Sequence, residues 1–227
     1  MFHKDKKIKR IVLGLKTMND YSYQNELDLT ARRNLVRICF IDDEGYPNVD
    51  RLKAIGYYNI DVKYNFERIE DYKEYDIIFC DLEGVGKHMD STLQGLWIAE
   101  EIKNQYPNCE VFIYSGNDVD DYGELPTNIK YVPKQTNIRE LSNIIDYTCG
   151  SLWDPHKAWE RIYQRMLNEK IPSKIIALLE DEFVNSLENK TNNFVNSDKK
   201  ETLMENVQLY VGFLLSLTDI ILRVLGK

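Results

Sequence analysis

Residues 75–80 read YDIIFC and run straight into Asp81. Apolar side chains fill successive positions from Ile77, without the polar alternation of a strand that keeps one face in water. A run this short, ended by an acid, predicts a strand buried on both faces. The pattern recurs on either side of it. Residues 36–41 (VRICFI) stop at Asp42-Asp43-Glu44, residues 110–114 (EVFIY) stop at Ser115-Gly116, and residues 130–132 stop at Pro133-Lys134. Residues 60–64 are a further, weaker strand candidate. Helix-like stretches lie between the runs, at 49–55, 69–75, 93–105 and 138–148. In the third of these, Leu93, Leu96, Trp97, Ile98 and Ile102 share one helical face. Continuous apolar strands separated by helices define an α/β protein with a parallel sheet covered on both sides.

The residues that end the strands carry the chemistry. In an open α/β sheet, ligands bind beyond the carboxyl ends of the strands, where the strand order reverses. Such a sheet brings Asp42, Asp43, Asp81, Ser115 and Lys134 to one edge although they are far apart in the chain. These types fit phosphoryl transfer. Carboxylates hold a hard divalent cation, Mg²⁺ above all. One carboxylate is left to act as nucleophile. A hydroxyl and an ammonium bind the oxygens of the incoming group, where negative charge must be neutralised.

In this order, IDDE, FCDLEG, YSGN and YVPK resemble the motif set of response-regulator receiver domains, over roughly half of the chain, residues 37–149. Tyr131, three positions before Lys134, fits the same pattern. The resemblance implies a flavodoxin-like, doubly wound, five-stranded parallel sheet. It implies Asp81 as the phosphoacceptor, charged by a histidine kinase, a phosphotransfer protein or a small donor. Asp42 and Asp43 match the Mg²⁺ carboxylates, and Asp81 and the backbone carbonyl of Glu83 complete that shell. Ser115 and Lys134 match the pair that binds the phosphoryl oxygens, and Tyr131 matches the aromatic switch residue. Activity would be limited to self-phosphorylation and dephosphorylation, with no metabolic reaction. The chain departs from the family in three places. Pro133 precedes Lys134 and Gln135 follows it, where the family puts proline after the lysine. The segment from Asp81 to Gly95 is longer than usual. The stretch from Ser115 to Lys134 is slightly short, and Asp118 to Tyr122 leaves little room for a regular helix.

Composition agrees with a folded, globular protein. The chain has 227 residues, 43% hydrophobic and 29% charged, enough for a core of about 120 residues plus an appendage. The formal net charge of −8 weighs against a general nucleic-acid binder. It is concentrated in residues 36–150, which hold 22 acidic and 11 basic side chains. Residues 1–10 are charged and do not read as a signal peptide. Cys39, Cys80, Cys109 and Cys149 form no CxxC pair and read as reduced, buried thiols of a cytoplasmic protein. GVGK at 84–87 is not a phosphate-binding loop, because Asp81 and His88 stand where that motif needs glycine and Ser or Thr. An aspartate-nucleophile phosphatase needs a second aspartate two residues on, and Glu83 and Glu44 stand there. His3, His88 and His156 are far apart and make no HExxH.

Three segments follow: a helical N-terminal arm (1–35), the receiver-like domain (36–150) and a helical dimerisation or partner-binding region (151–227). The arm's basic start and the apolar residues 11–15 read as a solubilising tail on a packed helix, ahead of a membrane-facing one. Asp154 is a candidate N-cap, with Pro155 in the first turn of a helix over 155–169. Pro172-Ser173 opens a second helix to 189, a polar linker follows to 198, and a last helix covers 199–225. That helix is apolar nearly all round. Asp219 and Arg223 interrupt it, which disfavours a membrane span and favours burial in a bundle or a subunit interface, in a homodimer or a hetero-complex. Its near-neutral surroundings weigh against DNA-binding output. Two readings therefore stand beside each other. One is a signalling protein phosphorylated on Asp81 that relays to a protein target through its helical flanks. The other is a phosphorylation-independent pseudo-receiver, a scaffold or subunit of a larger complex. A DNA-binding transcriptional regulator is a weaker third.

Overall fold

The computed structural model describes residues 14–23, 28–90, 92–116, 125–191 and 205–224. They divide into two compact units, one within 27–152 and the other combining 14–23 with 153–224.

The first unit is a parallel sheet covered by helices. Helix α1 (Leu29–Leu35) leads into β1 (Arg37–Ile41), α2 (Val49–Ala54), β2 (Asn59–Lys63), β3 (Ile77–Cys80), α3 (Gly95–Gln105), β4 (Glu110–Ser115), β5 (Lys130–Pro133) and α4 (Ile138–Leu152). The strand order is β2-β1-β3-β4-β5, every neighbouring pair parallel. The chain leaves β1 for β2 on one side and returns to β3 on the other, so the reversal lies between β1 and β3. This is the flavodoxin-like, doubly wound order of a five-stranded parallel sheet. β3 and β4 are buried along their whole length, as the apolar runs 77–80 and 111–114 require, whereas the edge strands β2 and β5 are partly exposed. One face packs Cys39, Ile41, Ile78, Cys80, Val111 and Ile113 against Leu96, Ile98, Ala99 and Ile102 of α3. On the other face, Phe40, Phe79 and Phe112 stand in register on β1, β3 and β4, with ring centroids 4.9 and 5.0 Å apart. Tyr46 stacks on the end of that row, 3.8 Å from Phe40.

Two polar anchors complete this unit. Arg33 of α1 donates to both carboxylate oxygens of Asp146 on α4, at 3.1 and 2.6 Å, and Tyr57 Oη donates to the same carboxylate at 2.6 Å. At the start of β4, the buried Lys103 donates to the Cys109 carbonyl at 2.7 Å and pairs with the buried Glu110 at 3.4 Å. Lys130 closes the set at 2.6 Å from Glu110.

The second unit is helical: α5 (Pro155–Asn168), α6 (Ser173–Asn189) and α7 (Glu205–Val224). Asp154 caps α5, accepting from the backbone N–H groups of His156 and Lys157, with Pro155 in the first turn. The core joins Trp159, Ile162 and Met166 to Leu179, Phe183 and Leu187 and to Tyr210, Leu214, Leu217 and Ile221. Residues 14–23 join it through the buried Met18, whose N–H donates to Glu180 at 2.9 Å, and through the Lys16 N–H, which donates to Asp181 at 2.7 Å. Among the described residues no helix is long and apolar enough to cross a membrane.

Several boundaries differ from the sequence expectation. The helix expected over 69–75 is a single 3₁₀ turn, Ile69–Tyr72. Helix α3 begins at Gly95, two residues late, because Gln94 takes a left-handed φ of 45° that no α-helix contains. Helix α7 is not apolar all round: Gln208, Gly212, Ser216 and Asp219 form an exposed line along it. All four cysteines are free and buried, and burial pushes the Cys39 thiol up to about 12. The readings of residues 1–13 and of Asp118 to Tyr122 lie outside the described residues, as does His3.

Candidate functional site

The carboxyl ends of β1, β3, β4 and β5 do converge. Asp42 directly follows β1 and extends its ladder, its N–H donating to the Lys63 carbonyl at 2.9 Å. Asp81 follows β3 in the same way, donating to the Ile41 carbonyl at 2.7 Å. Backbone pairing of neighbouring strands therefore sets both acids side by side. Asp42 and Asp81 are buried and Asp43 is exposed, yet carboxylate oxygens of all three lie within 4.8 Å of one another.

Lys134 comes from the far edge of the sheet. Its Nζ sits 2.8 Å from Asp42 Oδ2 and 2.7 Å from Asp81 Oδ2, so one ammonium bridges the two buried acids. Its backbone is held from β4: the Lys134 N–H donates to the Ser115 carbonyl at 2.9 Å, and Tyr114 Oη donates to the Lys134 carbonyl at 3.2 Å. Gln135 Nε2 donates to the Gly116 carbonyl at 3.1 Å. No peptide bond among the described residues is cis, and the order Pro133-Lys134-Gln135 still delivers the lysine to the acids. Pro133 is the last residue of the edge strand, paired with Ser115, a place where its missing N–H is tolerated. Ser115 is buried at the end of β4, and Tyr131, half-buried, donates to its carbonyl at 3.3 Å.

Electrostatics follow from this packing. Burial pushes the Asp81 carboxyl above the usual aspartate range, and the charge of Asp42 adds to the push; the Lys134 hydrogen bond and charge oppose it without cancelling it. Burial pulls the Lys134 ammonium down, but its hydrogen bonds to Asp42 and Asp81 outweigh that and hold it above the ordinary lysine value. Lys134 is thus a fixed positive charge. Asp81 Oδ1 accepts the Leu82 N–H at 2.8 Å and Oδ2 accepts Lys134, so its carboxylate is held in one orientation.

The segment after Asp81 closes on the site through glycine. At Gly84, where φ is +86°, an added Cβ would lie 2.2 Å from Asp43 Oδ1. At Gly95, one would lie 1.7 Å from the Asp81 carbonyl oxygen. Only glycine allows these approaches. Glu83 sits on this turn, between Leu82 and Gly84. Three carboxylates, two buried and one exposed, with a backbone turn pressed against the exposed one, form an all-oxygen donor set that suits a hard divalent cation.

Sequence reasoning missed the side chains that hold this turn. Gln94 Oε1 accepts the Gly84 N–H at 3.0 Å, and Asn65 Oδ1 accepts the Gly86 N–H at 3.1 Å. Tyr114 also holds the Lys134 carbonyl. Lys87, His88 and Met89 face solvent.

No family model matches the chain, and no curated protein matches it. Solved structures of response-regulator receiver domains are similar to it in fold. A receiver domain protein (CheY-like) from Methanospirillum hungatei JF-1 has 16% identity, covering 52% of this chain and 96% of that one, with a TM-score of 0.41. A receiver domain protein from Clostridium thermocellum has 23% identity, covering 51% and 95%, with a TM-score of 0.41. A two-component transcriptional regulator AraC from Clostridium phytofermentans ISDg has 18% identity, covering 52% and 95%, with a TM-score of 0.40.

Proposed function

We propose that the chain is a response-regulator-like signalling protein that accepts a phosphoryl group on Asp81 and passes the signal to a protein target through its helical unit. The observation that carries this reading is the single ammonium of Lys134 set between Asp42 and Asp81, beside Asp43. A merely structural ion pair needs one carboxylate. Two buried acids, an exposed third and one fixed cation leave a surplus of negative charge, which favours a bound divalent cation.

In the proposed reaction Asp81 Oδ attacks phosphorus, forming an O–P bond as the P–N bond of a phosphohistidine, or the P–O bond of an acyl phosphate, breaks. The electron pair of the broken bond leaves with the donor. Asp42, Asp43, Asp81 and the Glu83 carbonyl would hold Mg²⁺, which neutralises charge on the phosphoryl oxygens when bound. Lys134 trades an aspartate partner for one phosphoryl oxygen, and the Ser115 hydroxyl donates to another. Tyr131, already bonded to the Ser115 carbonyl, senses any shift of that strand end. Proposed partners are a histidine kinase or phosphotransfer protein upstream, and a protein bound by the helical unit, or a second copy of it, downstream.

The test is intact-mass measurement after incubation with acetyl phosphate and Mg²⁺. The wild-type chain gains the mass of one phosphoryl group, and both Asp81→Asn and chelation of the metal abolish the gain. A wild-type chain that gains nothing from acetyl phosphate or a phosphohistidine donor leaves the phosphorylation-independent scaffold as the reading.

A further inference from the structure

Gln94 is placed where its sequence type is unexpected. Its backbone, φ 45° and ψ −116°, lies in the left-handed region that glycine adopts without strain and glutamine does not. It stands at the N-cap of α3 but makes no side-chain cap to that helix. The side chain turns back across ten residues instead, and its Oε1 accepts the Gly84 N–H at 3.0 Å. The backbone on both sides of it is fixed: the Gln94 N–H donates to the Asp90 carbonyl at 3.0 Å, and the Gly95 N–H donates to the Leu82 carbonyl at 3.1 Å. Gly84 in turn presses on the Asp43 carboxylate so closely that a Cβ would overlap it.

We propose that Gln94 is a positioning residue: through the Gly84 N–H it clamps the turn of residues 82–84 against Asp43 and so fixes the donor set that a divalent cation meets. The inference rests on the cation-dependent reading of the acidic site given above. It assigns Gln94 no contact with the ion or the phosphoryl group. Gln94 acts on Gly84, Gly84 on Asp43, and the Glu83 carbonyl lies within the clamped turn. Asp43 most needs such support, being exposed while Asp42 and Asp81 are buried. Outer partners of this kind typically change metal affinity by about 10-fold or more. The strained backbone is the cost of bringing an amide oxygen to that N–H, since glycine would remove the strain and the acceptor together.

That opposition makes the test. The full-length wild type is compared with Gln94→Gly, which relieves the backbone and deletes the acceptor, and with Gln94→Glu, which keeps an acceptor at the same reach. Exchange of the Gly84 amide is followed by NMR without metal, Mn²⁺ binding by electron paramagnetic resonance, and thermal melting by circular dichroism. Gln94→Gly is expected to melt at or above the wild type, to exchange the Gly84 amide about tenfold faster, and to bind Mn²⁺ about tenfold more weakly. Gln94→Glu is expected to keep the amide protected and Mn²⁺ bound. Equal Mn²⁺ affinity in Gln94→Gly and a wild type that binds the ion overturns this proposal alone. A Gln94→Gly chain that melts below the wild type, or an unprotected Gly84 amide in the wild type, also overturns it. A wild type that binds no Mn²⁺ overturns the reading of the site and this proposal with it, and the amide data still report whether Gln94 holds the turn.

Discussion

The sheet unit and the helical unit contrast in what their buried residues must do. In the sheet unit Asp42, Asp81, Ser115 and Lys134 each stand at or just past a strand end, and exchanging any of them for an apolar residue would empty the pocket of a particular chemistry. In the helical unit the shared core is Trp159, Ile162, Leu179, Phe183, Leu214 and their neighbours, where hydrophobic residues of similar volume substitute for one another at low cost. Under the proposed reading the first unit is constrained by reactivity, and the second is constrained by shape. A fold can carry both, but only the first kind of constraint names a reaction.

The sharpest way to break the contrast is a crossed pair of variants. Asp81→Asn should abolish phosphoryl labelling completely while the protein melts as before or higher, because the raised carboxyl it removes is destabilised by burial. Phe183→Ala, at a fully buried ring stacked 5.9 Å from Trp159, should cost the helical unit about 3–4 kcal/mol in urea unfolding and leave labelling of Asp81 unchanged. Loss of labelling in Phe183→Ala would show that the two constraints are not separable.

Glu110 sharpens the comparison, because it is a buried acid of the sheet unit at the end away from the site. Burial raises its carboxyl, but the charges of Lys103 and Lys130 outweigh that and hold it below the ordinary glutamate value. A depressed folded value means the acid contributes stability above the unfolded value, and that contribution is lost as pH falls through the folded one. Urea midpoints taken from about pH 6 down to about pH 3 should therefore drop, and Glu110→Gln should flatten part of the slope. The same variant should lose about 3 kcal/mol at neutral pH, since it leaves the buried Lys103 without its charge partner. The smallest effect belongs to a helix end: Asp154→Ala removes the acceptor for two backbone N–H groups of α5 and should cost about 1 kcal/mol, read as a small shift in the urea midpoint.

The same contrast decides what could be read in advance. β1, β3 and β4 announce themselves because the interior positions of strands buried on both faces are filled by unbroken apolar runs, 38–41, 77–80 and 111–114. Asp42, Asp43, Asp81, Ser115 and Lys134 were readable because their order along the chain follows the order of strand ends. Gln94, Asn65 and Tyr114 were not, because each acts on the site through a hydrogen bond to backbone 10, 21 and 20 positions away, and no local pattern encodes such an approach. The exposed line on α7 was hidden because Gly212 and Ser216 are small enough to pass for interior residues. The turn at Ile69–Tyr72 imitated a longer helix because Tyr72 is buried and Ile69 packs beside it, at helical spacing from one another.

The row of Phe40, Phe79 and Phe112 backs the strand ends that carry the acidic site. Phe40 and Phe79 lie two residues ahead of Asp42 and Asp81, on the same side of their strands, and their rings are stacked 4.9 Å apart. The β1–β3 ladder sets the interval between the two acids, and the buried rings fill that same interval with hydrocarbon. Trimming a ring there would leave a void behind the pocket without altering one polar atom in it.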